Sequence, residues 1–392
     1  MSESGWLPSE TDLGLLFATA AEVAGATATS WQCTYLDVHN GSTRALTATV
    51  GLEWPDGSRT EETFGAGVGR HMAGALRMSD GQHEVGVWRF PHDPALPGLA
   101  AACDPQRMRG LVASMGLGDE PVALTVRAYR PTRRAVVEVR TSTTSLFVKV
   151  LRPAKVGELH ELHRASEHAL VPESLGWTDD GLLVLAGKPG RSLQELLLTG
   201  ETALPDPELI VGLLDGLPAA FVSRKPRQGW AELARHYAES VASVLPDAGS
   251  QAHRIADAVD AVGIVPGRCV PVHGDFYESQ LLVAGDRFSA LLDIDTAHGG
   301  DGYDDPACLL GHLAVLAQLN PDQRGITRYL DRCLGVFERH WEPRVLRARV
   351  AAVVLSLATG PHRVRQAGWQ NAIRERLALA DRWNSGEQPL AA

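Results

Sequence analysis

The sequence lacks most features that mark a secreted, membrane-spanning or disulfide-stabilised protein. Its 392 residues include only five cysteines, which are widely spaced and form no Cys-x-x-Cys pair. This pattern argues against a disulfide framework or a zinc site and favours free thiols in a reducing cytoplasm. The first residues lack a basic region followed by an apolar core, and no run of about 18 apolar residues occurs, so we expect neither a secretory signal nor a membrane span.

An excess of positive charge is also missing. The formal net charge is −10, which argues against a general nucleic-acid-binding protein. Apolar residues make up 44% of the chain and charged residues 21%, as in ordinary globular proteins. The length suggests two or three domains. We expect a cytoplasmic protein, monomeric or homodimeric, that binds a small molecule and neither nucleic acid nor membrane.

The N-terminal part has the composition of a β-rich domain. Residues 9–24 form a helical pattern that Ser9 can cap. Strand patterns follow at Trp31–Val38, Thr43–Trp54 and Glu84–Phe90. Asn40-Gly41 and Asp56-Gly57 are dipeptides that favour tight hairpin turns. Together these patterns predict an antiparallel, β-rich cap domain over residues 1–118.

Strand patterns return after Pro121, and helical patterns then dominate. The strands are predicted at Ala123–Tyr129, Arg134–Arg140, Ser145–Leu151 and Gly181–Leu185. With a helix before the last strand, this order predicts a small domain over residues 119–190. Helical patterns then cover about 192–199, 206–223, 228–244, 250–262, 322–339, 341–358 and 363–384. Residues 191–392 are therefore predicted to be mainly helical, with one further helix that Asp305 would cap.

The most informative stretch runs from His273 to Asp295 and reads HGDFYESQLLVAGDRFSALLDID. Asp275, Gln280, Asp293 and Asp295 stand on a loop and at the ends of two short apolar strands. Carboxylate and amide oxygens suit Mg²⁺, and a further carboxylate can act as a base. A metallophosphatase would need more ligands close by, and only two histidines follow soon after.

This stretch resembles the catalytic loop and metal-binding strand of the aminoglycoside phosphotransferase and choline kinase superfamily. There the pattern is His-Gly-Asp, four residues and Asn, followed by a strand that ends in Ile-Asp. The resemblance implies an α+β, bilobal protein-kinase-like fold, here preceded by the β-rich cap. It also implies ATP and Mg²⁺ as cofactors, Asp275 as the catalytic base, and Gln280 and Asp293 as metal ligands. Asp295 could add a carboxylate near a second metal position or simply accept backbone hydrogen bonds.

The same resemblance identifies candidate nucleotide-binding residues in the small domain. Lys149, in Phe-Val-Lys-Val, matches the lysine that holds the α and β phosphates. Glu161 would pair with it, with Glu158 as the alternative. Val184 and Ala186 occupy the hinge position, where backbone groups can hydrogen-bond to adenine. The other interpretation of Lys149 is an edge-strand lysine with a solvated amine.

The chain departs from the family pattern at two places. Gln280 replaces the usual Asn, which keeps the amide but adds one methylene and is compatible with Mg²⁺ binding. The hairpin at residues 130–133 contains no glycine, unlike the loop that covers the phosphates in protein kinases. His273 matches a family histidine that is mainly structural and hydrogen-bonds within the loop.

Two residues after the metal strand are candidates for binding the acceptor. Asp301 lies in a glycine-flanked loop, where it is suited to an ammonium group, although Asp and Gly also favour plain turns. Trp369 could pack against a sugar ring or belong to the core. Asp305 is expected to cap the helix that starts there and to accept hydrogen bonds that stabilise the fold.

The order of domains narrows the resemblance further. A β-rich cap ahead of kinase-like lobes resembles bacterial maltokinases, and the run DIDTAHGGDGYDDPACLLGHL resembles actinobacterial glucosamine kinases. This implies transfer of the ATP γ-phosphate to the 6-hydroxyl of glucosamine. The alternatives are a maltokinase or other sugar kinase, an aminoglycoside antibiotic phosphotransferase, and a pseudokinase that only binds its ligands.

Overall fold

The structure is a computed structural model, and it describes residue 6 and residues 9–39, 42–69, 72, 74–79, 83–166, 170–263 and 269–386. Within it the chain divides into two compact units. The first unit comprises Met1–His160, Ser174–Gly187 and His362–Ala367. The second comprises Glu161–Glu173, Lys188–Pro361 and Gly368–Ala392.

The first unit begins with a helix and a five-stranded antiparallel sheet. The elements are α1 Glu10–Val23, β1 Thr27–His39, β2 Ser42–Glu53, β3 Arg59–Val68, β4 Leu76–Ser79 and β5 Glu84–Arg89. The strands lie in the order β1-β2-β3-β5-β4. Ser9 caps α1 in a capping box with Asp12. Phe17 of the helix contacts Trp31 and Phe64 of the sheet, so α1 buries its apolar face there.

The helix and the β-rich character predicted for this region are confirmed. Strands β3 and β4 have no counterpart in the prediction, because half of β3 is polar and exposed and β4 has only four residues. The turn at Asp56-Gly57 is present, with Gly57 at φ +82°. Asn40-Gly41 lies outside the described residues.

A second five-stranded antiparallel sheet completes the first unit. Its elements are α2 Leu99–Ala102, α3 Pro105–Ser114, β6 Ala123–Arg130, β7 Arg134–Arg140, β8 Ser145–Leu151, α4 Pro153–Arg164, β9 Ser174–Trp177 and β10 Leu182–Ala186. The strand order is β6-β7-β8-β10-β9. Val148 and Val150 of β8 belong to a core that includes Met108 and Val112 of α3. The predicted strands are confirmed; β9, which is short and contains Gly176, was not anticipated by the pattern.

The glycine-free hairpin between β6 and β7 is held by a buried carboxylate. Thr132 has φ +60°, a conformation that glycine usually supplies. Its N–H donates to Asp93 over 2.7 Å, and its carbonyl accepts from Arg152 over 2.9 Å. Asp93 also accepts from the Tyr129 hydroxyl at 2.9 Å and from the N–H of Ala95 at 2.9 Å. Side-chain hydrogen bonds thus stabilise a turn for which the sequence provides no glycine.

We expect Asp93→Ala to lower the free energy of unfolding of the first unit by about 3 kcal/mol. The substitution removes the acceptor for three donors, and Asp93 is only 3% exposed. Chemical denaturation of the two proteins checks this. Tyr129→Phe removes one of the three donors and should cost about 1 kcal/mol. Equal stability of wild type and Asp93→Ala would contradict this account of the hairpin.

The second unit is mainly helical and contains two small sheets. Its helices are α5 Leu193–Leu198, α6 Glu208–Asp215, α7 Ala234–Val244, α8 Gly249–Val262, α9 Asp304–Leu319, α10 Arg324–His340, α11 Pro343–Leu357, α12 Gly360–Arg363 and α13 Trp369–Ser385. Its strands are β11 Arg191–Ser192, β12 Val270–Val272, β13 Leu281–Ala284, β14 Arg287–Leu291 and β15 His298–Gly300. The sheets are β11-β13-β14 and β12-β15. Among the described residues, no helix is both long and apolar enough to cross a membrane.

Three predicted helices of this unit have different bounds in the structure. The helix predicted at 228–244 begins only at Ala234. The pattern over 206–223 divides, because Gly216 and Pro218 end α6 and a short 3₁₀ helix, Ala219–Ser223, follows. The last helix begins at Trp369 and not near residue 363. Arg365 and Gly368 both have positive φ, which is incompatible with a continuous helix.

Helix α9 is the buried centre of the second unit. Its side chains are almost all inaccessible, from Asp304 to Ala317. Gly311 faces α11, and a Cβ there would lie 2.6 Å from Val353. The close approach of the two helices fixes the position of α9, which carries several polar side chains at its N-terminal end.

Candidate active site

The stretch that contains the candidate catalytic residues is built from two strand pairs of the second unit. Strand β12 leads into His273-Gly274-Asp275 and pairs with β15, with Val272 opposite His298. Glu278–Gln280 forms a 3₁₀ turn that leads into the β13–β14 hairpin. The hairpin returns the chain to Asp293. The β12–β15 and β13–β14 pairings therefore determine where the loop at His273 and the strand ends at Gln280 and Asp293 lie.

The loop is anchored by a carboxylate on α9. Asp305 is 2% exposed and accepts from the backbone N–H of His273 at 2.6 Å and of Gly274 at 2.9 Å. Burial raises the pKa of Asp305, although His273 and the two N–H groups oppose this rise. The prediction that Asp305 caps the helix is wrong, because α9 begins one residue earlier and its N-cap is Tyr303. Its carboxylate instead holds the backbone of the His273-Gly274-Asp275 loop.

His273 has hydrogen-bonding partners within the same stretch. Its Nε2 lies 2.8 Å from the carbonyl oxygen of Leu292, so this nitrogen carries a proton and donates. Its own carbonyl accepts from the Thr296 hydroxyl at 2.9 Å. Gly274 has φ +77°, and a Cβ there would lie 2.9 Å from the carbonyl oxygen of Thr296. His273 therefore joins the loop to the strand end at Asp293, as expected for a structural histidine.

Gln280 and Asp293 are brought to one end of the β13–β14 hairpin. Leu281 pairs with Leu291, and the N–H of Leu292 donates to the Gln280 carbonyl at 2.8 Å. Asp293 follows with φ +60° and ψ +52°, which turns the chain sharply at that residue. This left-handed conformation is uncommon for a residue other than glycine, and such positions cluster at functional sites.

The metal ligands predicted at Gln280, Asp293 and Asp295 stay a prediction, and the structure gives their surroundings. Gln280 is 8% exposed, and Asp293 and Asp295 are half-buried. Arg224 donates from Nη1 to the carbonyl oxygens of Asp295 and Ala297, at 3.0 and 2.9 Å, and so fixes the backbone after Asp293. One amide and two carboxylates fit a hard divalent cation that also binds phosphate oxygens.

Glu278 is a buried acid three residues after Asp275 that the sequence pattern did not identify. It is 2% exposed, and its Oε1 accepts from Gln194 at 3.2 Å. Burial, with a smaller contribution from Asp275, raises its pKa to about 7. No motif at this position identifies Glu278, because its burial depends on α5, which precedes it by some eighty residues.

The acidic loop after Asp295 contains a buried ion pair. Arg349 of α11 donates from Nη2 to Asp301 at 2.7 Å, and its side chain is 3% exposed. Its guanidinium carbon lies 5.8 Å from the Tyr303 ring centroid. The other oxygen of Asp301 accepts from the N–H of Tyr303. Asp301 is thus already neutralised within the protein, a partner that the sequence gives no means of predicting.

Asp304 is the less compensated carboxylate of this loop. It is 4% exposed, and its Oδ1 has no hydrogen-bond partner among the described residues. Burial, followed by the charges of Asp301 and Asp305, raises its pKa to about 7, while Arg349 and the N–H of Trp230 oppose this. A buried polar atom of this kind indicates a place for a ligand or water.

We expect Asp304→Asn to stabilise the protein above neutral pH. The folded-state pKa of about 7 exceeds the ordinary 3.8, so the stabilisation from this group is complete below about pH 4 and is lost as pH rises to about 7. Asn mimics the protonated acid and does not titrate. The difference in unfolding free energy between wild type and Asp304→Asn should therefore change by on the order of 3 kcal/mol from pH 4 to pH 8. Asp322→Asn, at an exposed position, should show no such divergence.

The candidate nucleotide-binding residues lie in the first unit, except Glu161. Lys149 pairs with Val136 and Leu183 in the central strand β8 and is 7% exposed. The alternative of a solvated edge-strand lysine is therefore wrong. The low exposure of Lys149 is compatible with a phosphate-binding lysine, and that role stays a prediction. Glu158 and Glu161 are both exposed residues of α4, and the choice between them stays open.

The two hinge residues differ in their backbone environment. Val184 lies opposite Gly176 of β9 and Val148 of β8, inside the sheet. Ala186 is the last residue of β10, beyond Leu185, where the pairing with β9 ends. The predicted adenine contacts stay predictions, and Ala186 is the better placed of the two. Trp369, the first residue of α13, is half-buried, and its predicted sugar contact also stays a prediction.

Neither protein-family models nor curated protein sequences gave a match to the chain. Several solved structures, however, match the fold of this chain. A thermostable mutant of aminoglycoside phosphotransferase APH(4)-Ia, in a ternary complex with AMP-PNP and hygromycin B, matches with a TM-score of 0.53 and 16% identity over 72% of this chain and 100% of that one. A mutant of the same enzyme with ADP and hygromycin B matches with a TM-score of 0.51 and 16% identity over 70% and 97%.

APH(4)-Ia itself matches with a TM-score of 0.50 and 16% identity, again over 70% of this chain and 97% of its own. The matches span nearly all of these enzymes and leave more than a quarter of this chain uncovered, which agrees with an additional β-rich domain. At such low identity the similarity is one of fold. The predicted fold class is therefore confirmed: the chain has the kinase-like fold of the aminoglycoside phosphotransferases, with a further antiparallel sheet.

Proposed function

We propose that the protein is an ATP-dependent kinase that phosphorylates a hydroxyl group of a small sugar, with glucosamine as the most specific candidate. The observation that carries this proposal is the anchored loop. Asp305 accepts from the backbone N–H groups of His273 and Gly274, and the His273 ring hydrogen-bonds to the carbonyl of Leu292, whose N–H donates to the Gln280 carbonyl. These contacts support a site that includes Asp275, Gln280 and Asp293. The kinase-like fold supports it, since the structures that match are phosphotransferases in complex with nucleotides.

In this proposal Asp275 orients the acceptor hydroxyl and takes its proton as the phosphoryl group is transferred. Gln280, Asp293 and Asp295 would hold Mg²⁺, which neutralises phosphate charge when bound. Lys149 would bind the phosphates of ATP through its buried ammonium group. His273 and Asp305 fix the loop, so their contribution is to position Asp275.

The preference for an amino sugar follows from the charge near the loop. Asp304 is close enough to Asp301 and Asp305 to be affected by their charges, and Glu278 is affected by that of Asp275. Within the described chain, Asp301 forms an ion pair with Arg349, whereas Asp304, Asp305 and Glu278 form none. An ammonium group on the acceptor would compensate Asp304, whose Oδ1 lacks a protein partner within the described chain. Neutral maltose would leave this carboxylate uncompensated, and this difference favours glucosamine over the maltokinase alternative.

An acceptor panel tests the proposal. Acceptor-dependent ADP release should be measured with Mg²⁺ for glucosamine, glucose, maltose, and kanamycin- and hygromycin-type antibiotics. We expect turnover with glucosamine to exceed that with glucose, the matched neutral sugar. Turnover confined to maltose or to the antibiotics would reject glucosamine and retain the kinase. Nucleotide binding without any turnover would instead support a pseudokinase.

Gln280→Asn tests the proposed metal ligand. Both side chains carry an amide, and Asn is the residue usual in the superfamily. We expect measurable activity with a raised Mg²⁺ requirement, because the shorter side chain moves the oxygen away from its present place. Gln280→Leu, of similar size but without the amide, should lose about 100-fold in turnover. Equal activity of both variants would show that Gln280 does not bind the metal.

A further inference from the structure

A second group of potential metal ligands includes the proposed catalytic base, Asp275. One ligand atom from each of Asp275, Cys308 and His312 lies within 4.8 Å of the others. Cys308 is fully buried, and the other two residues are half-buried. Carboxylate oxygen, thiol sulfur and imidazole nitrogen together form a mixed donor set that differs from the all-oxygen set proposed for Mg²⁺.

The geometry of α9 brings two of these groups together. Cys308 and His312 are four residues apart, so they project from the same face of the helix. The helix is fixed at this point by Gly311, which packs against α11. Tyr277 of the catalytic loop stacks on the His312 ring, with centroids 4.3 Å apart and planes inclined by 24°. The imidazole is therefore held in one orientation before any ligand binds.

The size of the cluster is close to that of a zinc site. Zinc binds sulfur at about 2.3 Å and nitrogen or oxygen at about 2.0 to 2.2 Å, so tetrahedral ligand atoms are roughly 3.5 Å apart. The atoms of this cluster require shifts of less than about 1 Å each to reach that spacing. Three protein ligands would leave the fourth position to water.

The charge around the cluster favours a cation. Burial, and then the negative charge of Asp275, Asp305, Glu278 and Asp304, raise the pKa of the Cys308 thiol well above its usual range. The same carboxylates attract a divalent ion. Burial, and to a smaller degree Arg376, lower the pKa of His312 to about 4. The positive charge of Arg376 opposes metal binding.

We propose that Asp275, Cys308 and His312 form an inhibitory site for a borderline-soft divalent cation, for which Zn²⁺ is the best chemical match. Coordination by the thiol sulfur releases one proton to solvent. An ion at this site engages the Asp275 carboxylate, which then cannot accept the proton of an acceptor hydroxyl. The metal site stands on the geometry alone, whereas the inhibition rests on the proposed function.

Zinc binding can be measured without catalysis. Metal-free full-length protein should compete with a chromophoric zinc chelator and bind one Zn²⁺ tightly. Co²⁺ at the same site should give a thiolate-to-metal charge-transfer band in the near ultraviolet. We expect Cys308→Ala and His312→Gln each to weaken binding about 100-fold or more, and Cys308→Ala to abolish the band.

Two other cysteines provide matched controls. Cys333→Ala removes a second fully buried thiol, on α10, and Cys269→Ser removes an exposed thiol. Both variants should bind zinc as the wild type does. Thermal unfolding of Cys308→Ala and His312→Gln would show that both are folded. Absence of tight binding in the wild type, or equal binding by wild type, Cys308→Ala and His312→Gln, would overturn the proposal.

The inhibition is tested separately with Mg²⁺ and the best acceptor. Zn²⁺ should inhibit the wild type and Cys333→Ala but not Cys308→Ala, and a chelator should restore activity. Inhibition that persists in Cys308→Ala would place zinc elsewhere and overturn the inhibitory role. If the protein has no kinase activity, the proposed function fails while the binding measurement still decides the metal site.

Discussion

Asp275→Asn is expected to reduce acceptor-dependent phosphoryl transfer by about 10³-fold or more, with little change in nucleotide affinity. Asn keeps the shape of the side chain and can still contact the acceptor hydroxyl, but it cannot take the proton at neutral pH. The loop itself should keep its conformation, because Asp305, Leu292 and Thr296 hold His273 and Gly274 and none of these contacts uses the Asp275 side chain.

Three measurements define this result: turnover, calorimetric binding of AMP-PNP, and thermal unfolding. Asp286→Asn is the matched control, since Asp286 is an exposed residue on the turn of the β13–β14 hairpin. It should retain wild-type turnover. Near-wild-type activity of Asp275→Asn would show that the wrong residue is assigned as the base. Loss of nucleotide binding in that variant would show that Asp275 serves binding and not proton transfer.

Asp305→Ala is expected to lower turnover by about 100-fold and the free energy of unfolding by about 3 kcal/mol. The substitution leaves the N–H groups of His273 and Gly274 without an acceptor in a buried site, where each missing hydrogen bond costs about 1 to 3 kcal/mol. The freed loop then no longer places Asp275. Asp305→Asn retains one acceptor oxygen and should be intermediate in both measurements.

Glu342→Ala is a control with the same chemistry at another place. The Glu342 carboxylate also accepts two backbone N–H groups, from Arg344 and Val345, but at the start of α11. Its loss should cost about 1 kcal/mol of stability without a comparable effect on turnover. If Asp305→Ala is less stable but fully active, the carboxylate supports the fold and does not position the base.

Elements of the fold can be predicted from the sequence where the hydrophobic pattern and the capping or turn residues agree. The helix capped by Ser9 and the strands around Lys149 follow from periodicity that tertiary contacts do not override. The division of the 206–223 pattern shows the opposite case, because an apolar period continued through Gly216 and Pro218, two residues that end helices. Strand β3 was missed because its exposed half has polar residues that fit a loop as well as an edge.

In the candidate site, too, some residues can be identified from the sequence and others cannot. His273, Asp275, Gln280 and Asp293 share one short stretch, so a motif identifies them. Asp305 lies thirty residues after Asp275. The sequence predicts it as a helix cap because it precedes Pro306, whereas in the structure it accepts from the N–H groups of His273 and Gly274.

Arg349 and Glu278 have no local signal at all. Arg349 reaches Asp301 from a helix almost fifty residues away, and Glu278 is buried by a distant α5. Cys308 and His312 do have helical i, i+4 spacing, but only the position of α9 shows that they meet Asp275. Contacts between distant elements cannot be read from one sequence, because they depend on how the helices pack.

The most direct test of the central claim is to identify the product. Wild type and Asp275→Asn should be incubated with ATP, Mg²⁺ and glucosamine, and the sugar analysed by mass spectrometry and ³¹P NMR. The account predicts a glucosamine that carries one phosphoryl group on its 6-hydroxyl with the wild type, and almost none with the variant. Unmodified glucosamine in both reactions, from folded protein that binds nucleotide, would contradict it.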